Sequence, residues 1–189
     1  MIFDTDIENS SEILKSGGVI LYPTDTIWGI GCDATMDSAV EKIYSIKMMD
    51  RGRSLIILVN DIDMLEEYVE DVPQVAYDLL RISDTPTTII YPDGRNLASG
   101  VCSEDGSVGV RICHDKFCVE LIKRLGKPLI STSANISGEP FPANFSEIEE
   151  ALLKKVDYVV KYRQEDRRKN FPSPVIKIDK NGAFKIIRM

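Results

Sequence analysis

An open α/β sheet, parallel in part and antiparallel at one side, with helices on its faces, is the fold class that the sequence predicts. Short β-branched runs alternate with amphipathic segments of helical length almost to the end of the chain. The last two predicted strands are joined by Asp179-Lys180-Asn181-Gly182, and Asn-Gly supplies the positive φ angles of a tight hairpin turn. A hairpin that closes an alternating chain implies a mixed sheet.

The individual elements follow from periodicity and from capping residues. Gly17-Gly18 is expected to end the first helix and Asp37 can cap the second, which places Lys47 near a helix end. The predicted helices are 6–16, 37–48, 61–69, 73–82, 115–125 and 146–155, and the predicted strands are 19–22, 55–59, 87–91, 108–112, 128–131, 157–160, 175–178 and 184–187.

The composition is that of one globular domain over residues 1–189. Hydrophobic residues make up 43% of the chain, which is enough for an ordinary core, and no repeat or linker marks a second domain. The net charge of -7 argues against a protein whose main task is to coat nucleic acid or an anionic membrane. The sequence has no signal-peptide pattern and no apolar run of membrane-spanning length, so we expect a cytoplasmic protein that binds no membrane.

Two polar stretches follow predicted strands, where an α/β sheet places its ligands. The first, Tyr22 to Gly29, holds two threonines, a carboxylate and the only tryptophan. The second, Ser131 to Gly138, holds four hydroxyls and an amide, which suit a phosphate or carboxylate cradle. Instead of binding a ligand, the first stretch could be a Thr/Asp turn that caps itself, and the second could be an ordinary Ser/Thr-rich loop.

Several cations lie near these stretches and are candidates to neutralise a triphosphate, namely Lys47, Arg51, Arg53 and Arg111. A later cationic run, Arg163 with Arg167 to Lys169, is interleaved with acidic residues, and we interpret it as a solvated face.

Other patterns do not predict sites. Gly29 to Ala34 fits the dinucleotide pattern G-x-G-x-x-A, but the strand and helix that this motif needs are not adjacent to it. The four cysteines form no CxxC pair and have no zinc-site spacing, so we expect reduced thiols. The only histidine, His114, is expected at the surface.

Four segments carry a family resemblance: LYPTDTIWGIG, IYSIKMMDRGRSLIILV, GSVGVRI and PLISTSANISGEP. In order and spacing they resemble the YrdC/Sua5 family, the threonylcarbamoyl-adenylate synthases of tRNA modification. The resemblance runs from about Gly18 to the terminal IIR, and the length is similar to that of the single-domain YrdC type. It implies a YrdC/RibB-like open twisted sheet around a concave, positively charged groove.

The resemblance also implies a reaction. L-threonine, bicarbonate and ATP would give threonylcarbamoyl-adenylate and pyrophosphate, and a partner transferase complex would move the threonylcarbamoyl group to adenosine 37 of tRNA. Mg²⁺ is expected, held mainly by ATP. The family is also associated with binding of double-stranded RNA or tRNA. The alternative is therefore a non-catalytic or degenerate paralogue that binds such RNA or a nucleotide.

When the family motifs are carried onto this sequence, they imply roles for nine residues. Arg53 is a tenth candidate. Lys47 and Arg111 would be catalytic. L-threonine would be bound by Thr24, Arg111, Ser131 and Ser173, ATP would be bound by Lys47, Arg53, Ser107, Ser133, Asn135 and Arg188, and no residue is expected as a metal ligand.

The sequence departs from the family pattern at five positions. Met49 replaces the arginine of the K-x-R motif, so Arg51 or Arg53 is expected to supply the second cation. Many members have Pro where this chain has Cys113 and Thr where it has Pro174. The position of Phe141 usually holds a small hydroxyl residue that helps to bind ATP, and the position of Arg53 is often Asn or Lys. Loss of one charge-assisted contact in a transition state would reduce the rate by roughly 10²-fold.

Overall fold

The structure is a computed structural model, and it describes residues 1–50 and 55–189, so Arg51 and Arg53 lie outside the described residues. Its helices are α1 (Ile2–Lys15), α2 (Asp37–Lys47), α3 (Ile62–Tyr68), α4 (Gln74–Ile82), α5 (Lys116–Leu125) and α6 (Glu150–Leu153), with a 3₁₀ turn at Phe145–Glu147. Its strands are β1 (Ile20–Tyr22), β2 (Gly29–Gly31), β3 (Ile56–Val59), β4 (Thr88–Tyr91), β5 (Val108–Ile112), β6 (Leu129–Ser133), β7 (Tyr158–Val159), β8 (Val175–Ile178) and β9 (Phe184–Arg188).

Within the described ranges, nine strands form one sheet in the order β7-β1-β2-β6-β3-β5-β4-β8-β9. The pairs β1–β7, β3–β5 and β4–β8 are parallel, and the other five are antiparallel. The predicted mixed sheet with helices is therefore confirmed. Its antiparallel pairs, however, occur across the whole sheet instead of at one side. The short connection from β1 to β2 turns the chain straight back, and β6 runs antiparallel to both of its neighbours.

Strand β2 is absent from the sequence prediction, which assigns Gly29 to a polar loop. It has three residues, two of them glycines, and so carries little β-propensity. Close approach to β6 explains one glycine: a Cβ on Gly31 would lie 2.1 Å from the carbonyl oxygen of Ile130. β2 pairs with both β1 and β6, so it joins the two predicted polar stretches in one sheet.

Two predictions near the C-terminus are wrong in detail. The predicted helix 146–155 is a 3₁₀ turn and a four-residue helix, separated by Ile148 in an extended conformation, because the Asn144 side chain caps the turn at Ser146 N. In the β8–β9 hairpin only Gly182 has a positive φ, at 81°. The Asp179 carboxylate instead closes a longer loop by accepting from the amides of Asn181 and Ala183.

Helix α5 illustrates how the core is built. The Asp115 side chain caps its first turn, and Gly126 ends it in the left-handed region at φ 69°. One face of α5 is buried, and the Phe117 ring packs edge-to-face against Phe3 of α1 at 5.8 Å. Full burial of such a side chain contributes about 1.5–3 kcal/mol.

Strand register places the candidate residues on one face of the sheet. Ile56 of β3 pairs with Gly109 of β5 and with Ser131 of β6. Residues two apart on a strand share a face, so Arg111 and Ser133 lie on the same side as Gly109 and Ser131. Among the described helices, none combines the length and the apolar character that crossing a membrane requires.

Candidate functional site

A cavity of about 320 Å³ lies over this face of the sheet. The sequence-predicted residues that line it come from β5, β6, the loop after β6, the segment before β8, and β9: Arg111, Ser131, Ser133, Asn135, Ser173 and Arg188. The volume is at the lower end of the range for small-molecule sites. The fold thus brings six of the predicted residues together, across strands that are distant in sequence.

Lys47 lies behind the lining and supports it. It is the last residue of α2 and only 3% exposed. Its Nζ donates to the Ser133 carbonyl at 2.6 Å and lies 3.4 Å from Ser133 Oγ and 3.5 Å from Asn135 Oδ1. Burial lowers the pKa of Lys47 to about 8, because desolvation disfavours the charged form. Lys47 therefore holds Ser133 and Asn135 in place and brings a titratable cation to the site.

Arg111 is a buried cation that faces the cavity. Its side chain is 5% exposed, and its Nη2 lies 3.2 Å from Asp25 Oδ1 and 3.5 Å from Thr24 Oγ1. Among the described residues, its buried Nε has no hydrogen-bond partner. Asp25 lies in the first polar stretch, and the sequence predicts no role for it, since a carboxylate in a turn carries no local signal of a distant ion pair.

Thr24 is buried and does not belong to the described lining of the cavity. Its Oγ1 donates to the Ile27 carbonyl at 2.8 Å and accepts from Thr26 N at 3.0 Å. This is a self-capping turn, which is the structural alternative for this polar stretch. The same hydroxyl also approaches Arg111, so Thr24 connects the turn to the site.

Ser173 and Arg188 meet at the other side of the cavity. Ser173 Oγ lies 2.8 Å from Thr88 Oγ1, and the Ser173 carbonyl accepts from Arg188 Nε at 3.1 Å and Nη2 at 2.7 Å. Burial first, and then the positive charge of Arg111, lower the pKa of Arg188. Two guanidinium groups that border one cavity favour an anion between them.

Ser107 is not brought to this cavity. It is buried at the start of β5, and its Oγ donates to Asp105 Oδ1 at 2.5 Å. Hydrogen bonds from Ser107, and then from Lys177, lower the pKa of Asp105. The nucleotide role of Ser107 stays a prediction.

Met49 and Phe141, two departures from the family pattern, both line the cavity. Trp28 also lines the cavity, and its ring packs on Phe145 at 4.9 Å. Apolar side chains thus line the cavity at the two positions where the resemblance leads us to expect a cation and a hydroxyl.

Arg163 contradicts its interpretation as part of a solvated face. Its side chain is 22% exposed, whereas those of Arg167 and Arg168 are 58% and 79% exposed. The interleaved acids pair with the latter two, but Arg163 turns inward to Asp115 and the Thr24 carbonyl. The expected exposed His114 and free cysteines are confirmed.

A second cavity, of about 580 Å³, lies at the carboxyl ends of β3 and β5. Asn60, Tyr77, Leu80, Ile112 and His114 contribute to its lining. Of the sequence-predicted site residues that the structure describes, none borders it, so we assign the candidate site to the smaller cavity.

Comparison with known proteins adds independent information. Residues 12–189 match the Sua5/YciO/YrdC family model, which is described as "Telomere recombination". A threonylcarbamoyl-AMP synthase of Xanthomonas oryzae pv. oryzae is 34% identical over 157 residues, which are 82% of this chain and 84% of that protein.

Solved structures share the fold. The structure of E. coli YciO superposes with a TM-score of 0.83 at 26% identity, over 96% of this chain and 87% of that one. P. abyssi Sua5 complexed with L-threonine superposes with a TM-score of 0.77 at 25% identity, over 91% of this chain. This chain spans only about half of that Sua5 chain (50%).

Proposed function

Because the chain belongs to the Sua5/YciO/YrdC family, we propose that it is an L-threonylcarbamoyladenylate synthase, a nucleotidyltransferase that uses L-threonine, bicarbonate and ATP. One observation carries the proposal: Arg111 and Arg188 border a single cavity together with the hydroxyl groups of Ser131, Ser133 and Ser173. Such a site suits anionic substrates that carry a carboxylate or phosphates.

The proposed chemistry needs no covalent enzyme intermediate. Bicarbonate takes up a proton and loses water to give CO₂, and the threonine amine attacks the carbon of CO₂ and gives up a proton to form a carbamate. A carbamate oxygen then attacks the α-phosphorus of ATP, the bond to the β-phosphate oxygen breaks, and pyrophosphate leaves with its electron pair. The protein has to align the reactants and stabilise the charge at the phosphorus.

The cavity suggests how its residues divide this work. Arg111 is proposed to bind the threonine carboxylate, with Thr24 and Ser131 beside it and Ser173 held next to Arg188. Ser133, Asn135 and Arg188 are proposed to face the nucleotide, and Lys47, which lies behind them, is proposed to bring its charge to the phosphates. Lys47 supports this role because it already reaches Ser133 and Asn135. The roles of Ser107 and Arg53 toward ATP are proposed from the resemblance alone.

Mg²⁺ is proposed to accompany ATP, held mainly by phosphate oxygens and water. Glu139 is the one acidic residue in the described lining of the cavity, which suits an ion that keeps most of its waters. When bound, Mg²⁺ would neutralise phosphate charge. We propose that the product passes to a tRNA-modifying transferase complex in the cytoplasm.

Pyrophosphate release by the purified protein tests the proposal. The reaction contains ATP, Mg²⁺, L-threonine and bicarbonate, and the controls omit threonine, omit bicarbonate or replace L-threonine with L-serine. We expect release that requires both L-threonine and bicarbonate.

An absence of release, with ATP or threonine still bound, would instead indicate a degenerate paralogue. Met49→Arg would then be tested for restored release, since it returns the cation of the K-x-R motif. Binding of double-stranded RNA that weakens steeply with salt would point to the non-catalytic alternative.

A further inference from the structure

Arg163 is a largely buried cation that the proposed reaction does not use. It follows β7 and has a left-handed backbone conformation, with φ 68°, which is uncommon for a residue other than glycine. It is absent from the described lining of the cavity. A strained backbone and a buried charge persist where the surroundings require that conformation.

The Arg163 guanidinium joins two segments that are distant in sequence. Its Nη2 donates to the Thr24 carbonyl at 2.8 Å, and its Nη1 pairs with the Asp115 carboxylate. Asp115 caps α5, and the Cys118 thiol in the first turn of α5 donates to the Pro23 carbonyl at 3.4 Å. Arg163 and the start of α5 therefore hold the two successive carbonyls of Pro23 and Thr24.

These carbonyls belong to the turn that faces Arg111. The Thr24 hydroxyl lies 3.5 Å from Arg111 Nη2, and Asp25, the next residue, makes the ion pair with the same nitrogen. A displacement of the Thr24 peptide would therefore move both groups that orient the Arg111 guanidinium.

We propose that Arg163 is a positioning residue for the L-threonine half of the site: it holds the Thr24 carbonyl and so sets Thr24 and Asp25 against Arg111. This inference rests on the proposed function. It acts on the threonine side alone, since the contacts of Arg163 lead to Thr24 and not to Lys47, Ser133 or Asn135.

An arginine suits this position better than any other side chain. Its planar fork offers separate N–H groups to a carbonyl and a carboxylate at the same time, whereas a lysine ammonium is a single point charge. A lysine at position 163 should therefore keep part of the positioning, because it still neutralises Asp115. A glutamine there carries no charge.

The test compares Arg163→Gln and Arg163→Lys with Arg167→Gln, a control in the same segment whose side chain is 58% exposed. We expect Arg163→Gln to raise the KM for L-threonine about tenfold, with the KM for ATP within about twofold of the unsubstituted protein. Arg163→Lys should raise the KM for L-threonine by a smaller factor, and Arg167→Gln should change neither KM. If Arg163→Gln does not fold, Arg163→Lys provides the same comparison.

Acrylamide quenching of the only tryptophan, Trp28, gives a readout that needs no substrate. Trp28 lies in the polar stretch from Tyr22 to Gly29 and is 4% exposed. If the turn at Thr24 is released, acrylamide quenching of Trp28 should increase in Arg163→Gln and not in Arg167→Gln. An unchanged KM for L-threonine, or equal increases in both KM values, would overturn the inference.

The two proposals can fail separately. If the unsubstituted protein releases no pyrophosphate, the proposed function fails, and the Trp28 measurement alone decides the positioning role. Greater quenching in Arg163→Gln than in Arg167→Gln supports that role, and equal quenching overturns it.

Discussion

Lys47 and Arg111 are both buried cations, but their surroundings differ. Lys47 is bonded to a backbone carbonyl and to neutral side chains, so desolvation lowers its pKa to about 8. Arg111 has a carboxylate partner in Asp25. Lys47 can therefore lose its charge near pH 8.

The pKa of Lys47 predicts opposite effects of pH on rate and on stability. Since the folded pKa of about 8 is below the ordinary 10.5, the unfolded chain binds more protons between these values, and the free energy of unfolding should rise with pH there. The rate of pyrophosphate release should fall over the same window as the cation is lost. Lys47→Met should lower the rate by about 10²-fold or more and remove this contribution to the pH dependence of stability.

Chemical denaturation and pyrophosphate release, each measured across that pH window, check the prediction. A rate that stays constant above the pKa of Lys47 would contradict the proposed need for its charge.

Arg111 and Asp25 allow stability to be separated from catalysis. Arg111→Ala should reduce turnover by about 10²-fold or more, and should lower the free energy of unfolding by about 3–5 kcal/mol because it strands the buried Asp25 carboxylate. The double variant Arg111→Ala with Asp25→Ala should regain part of the stability and none of the turnover. Urea denaturation and initial rates measure both; recovered turnover in the double variant would refute the role of Arg111.

At the scale of elements, β2 decides how the site is assembled. It lies between β1 and β6 and pairs with both, so the turn that carries Thr24 and the serines of β6 end side by side. This placement depends on glycines that let neighbouring strands approach closely.

Gly31→Ala and Gly29→Ala form a matched pair of tests. The new methyl at Gly31 would meet a backbone carbonyl at 2.1 Å, so we expect destabilisation of about 3 kcal/mol or more. A methyl at Gly29 would have Ser131 Oγ as its nearest neighbour, at 3.1 Å. Because this hydroxyl can rotate, we expect a destabilisation of about 1 kcal/mol and a raised KM for L-threonine. Urea denaturation measures the stability of both variants. Equal values would show that the close approach of β2 to β6 does not exclude a side chain at position 31.

At the scale of the whole molecule, a net charge of -7 coexists with a local pair of arginines at the cavity. The overall field repels long polyanions, whereas the cavity favours a small anion. The molecule is thus suited to small substrates.

Ligand-induced stabilisation tests this view. L-threonine at about 100 times its Kd should add about 2.7 kcal/mol to the free energy of unfolding. For a chain of this length that corresponds to a rise in Tm of about 5–11 °C. L-serine at the same concentration should produce a smaller rise, and double-stranded RNA at about 0.15 M salt none. Thermal unfolding followed by circular dichroism measures these shifts, and a larger rise with RNA than with L-threonine would contradict the proposal.

The alternating pattern of strands and helices, the helix end at Lys47 and the polar stretches at Thr24 and Ser131 could all be predicted from the sequence, because each depends on neighbouring residues. The hydrogen-bond and ion-pair partners of the buried charged groups could not be predicted from the sequence. Arg163 reaches a carbonyl 139 positions away, and Asp25 pairs with a cation on a distant strand. Such contacts depend on the order of strands in the sheet, which results from burial of the whole chain and leaves no local signal.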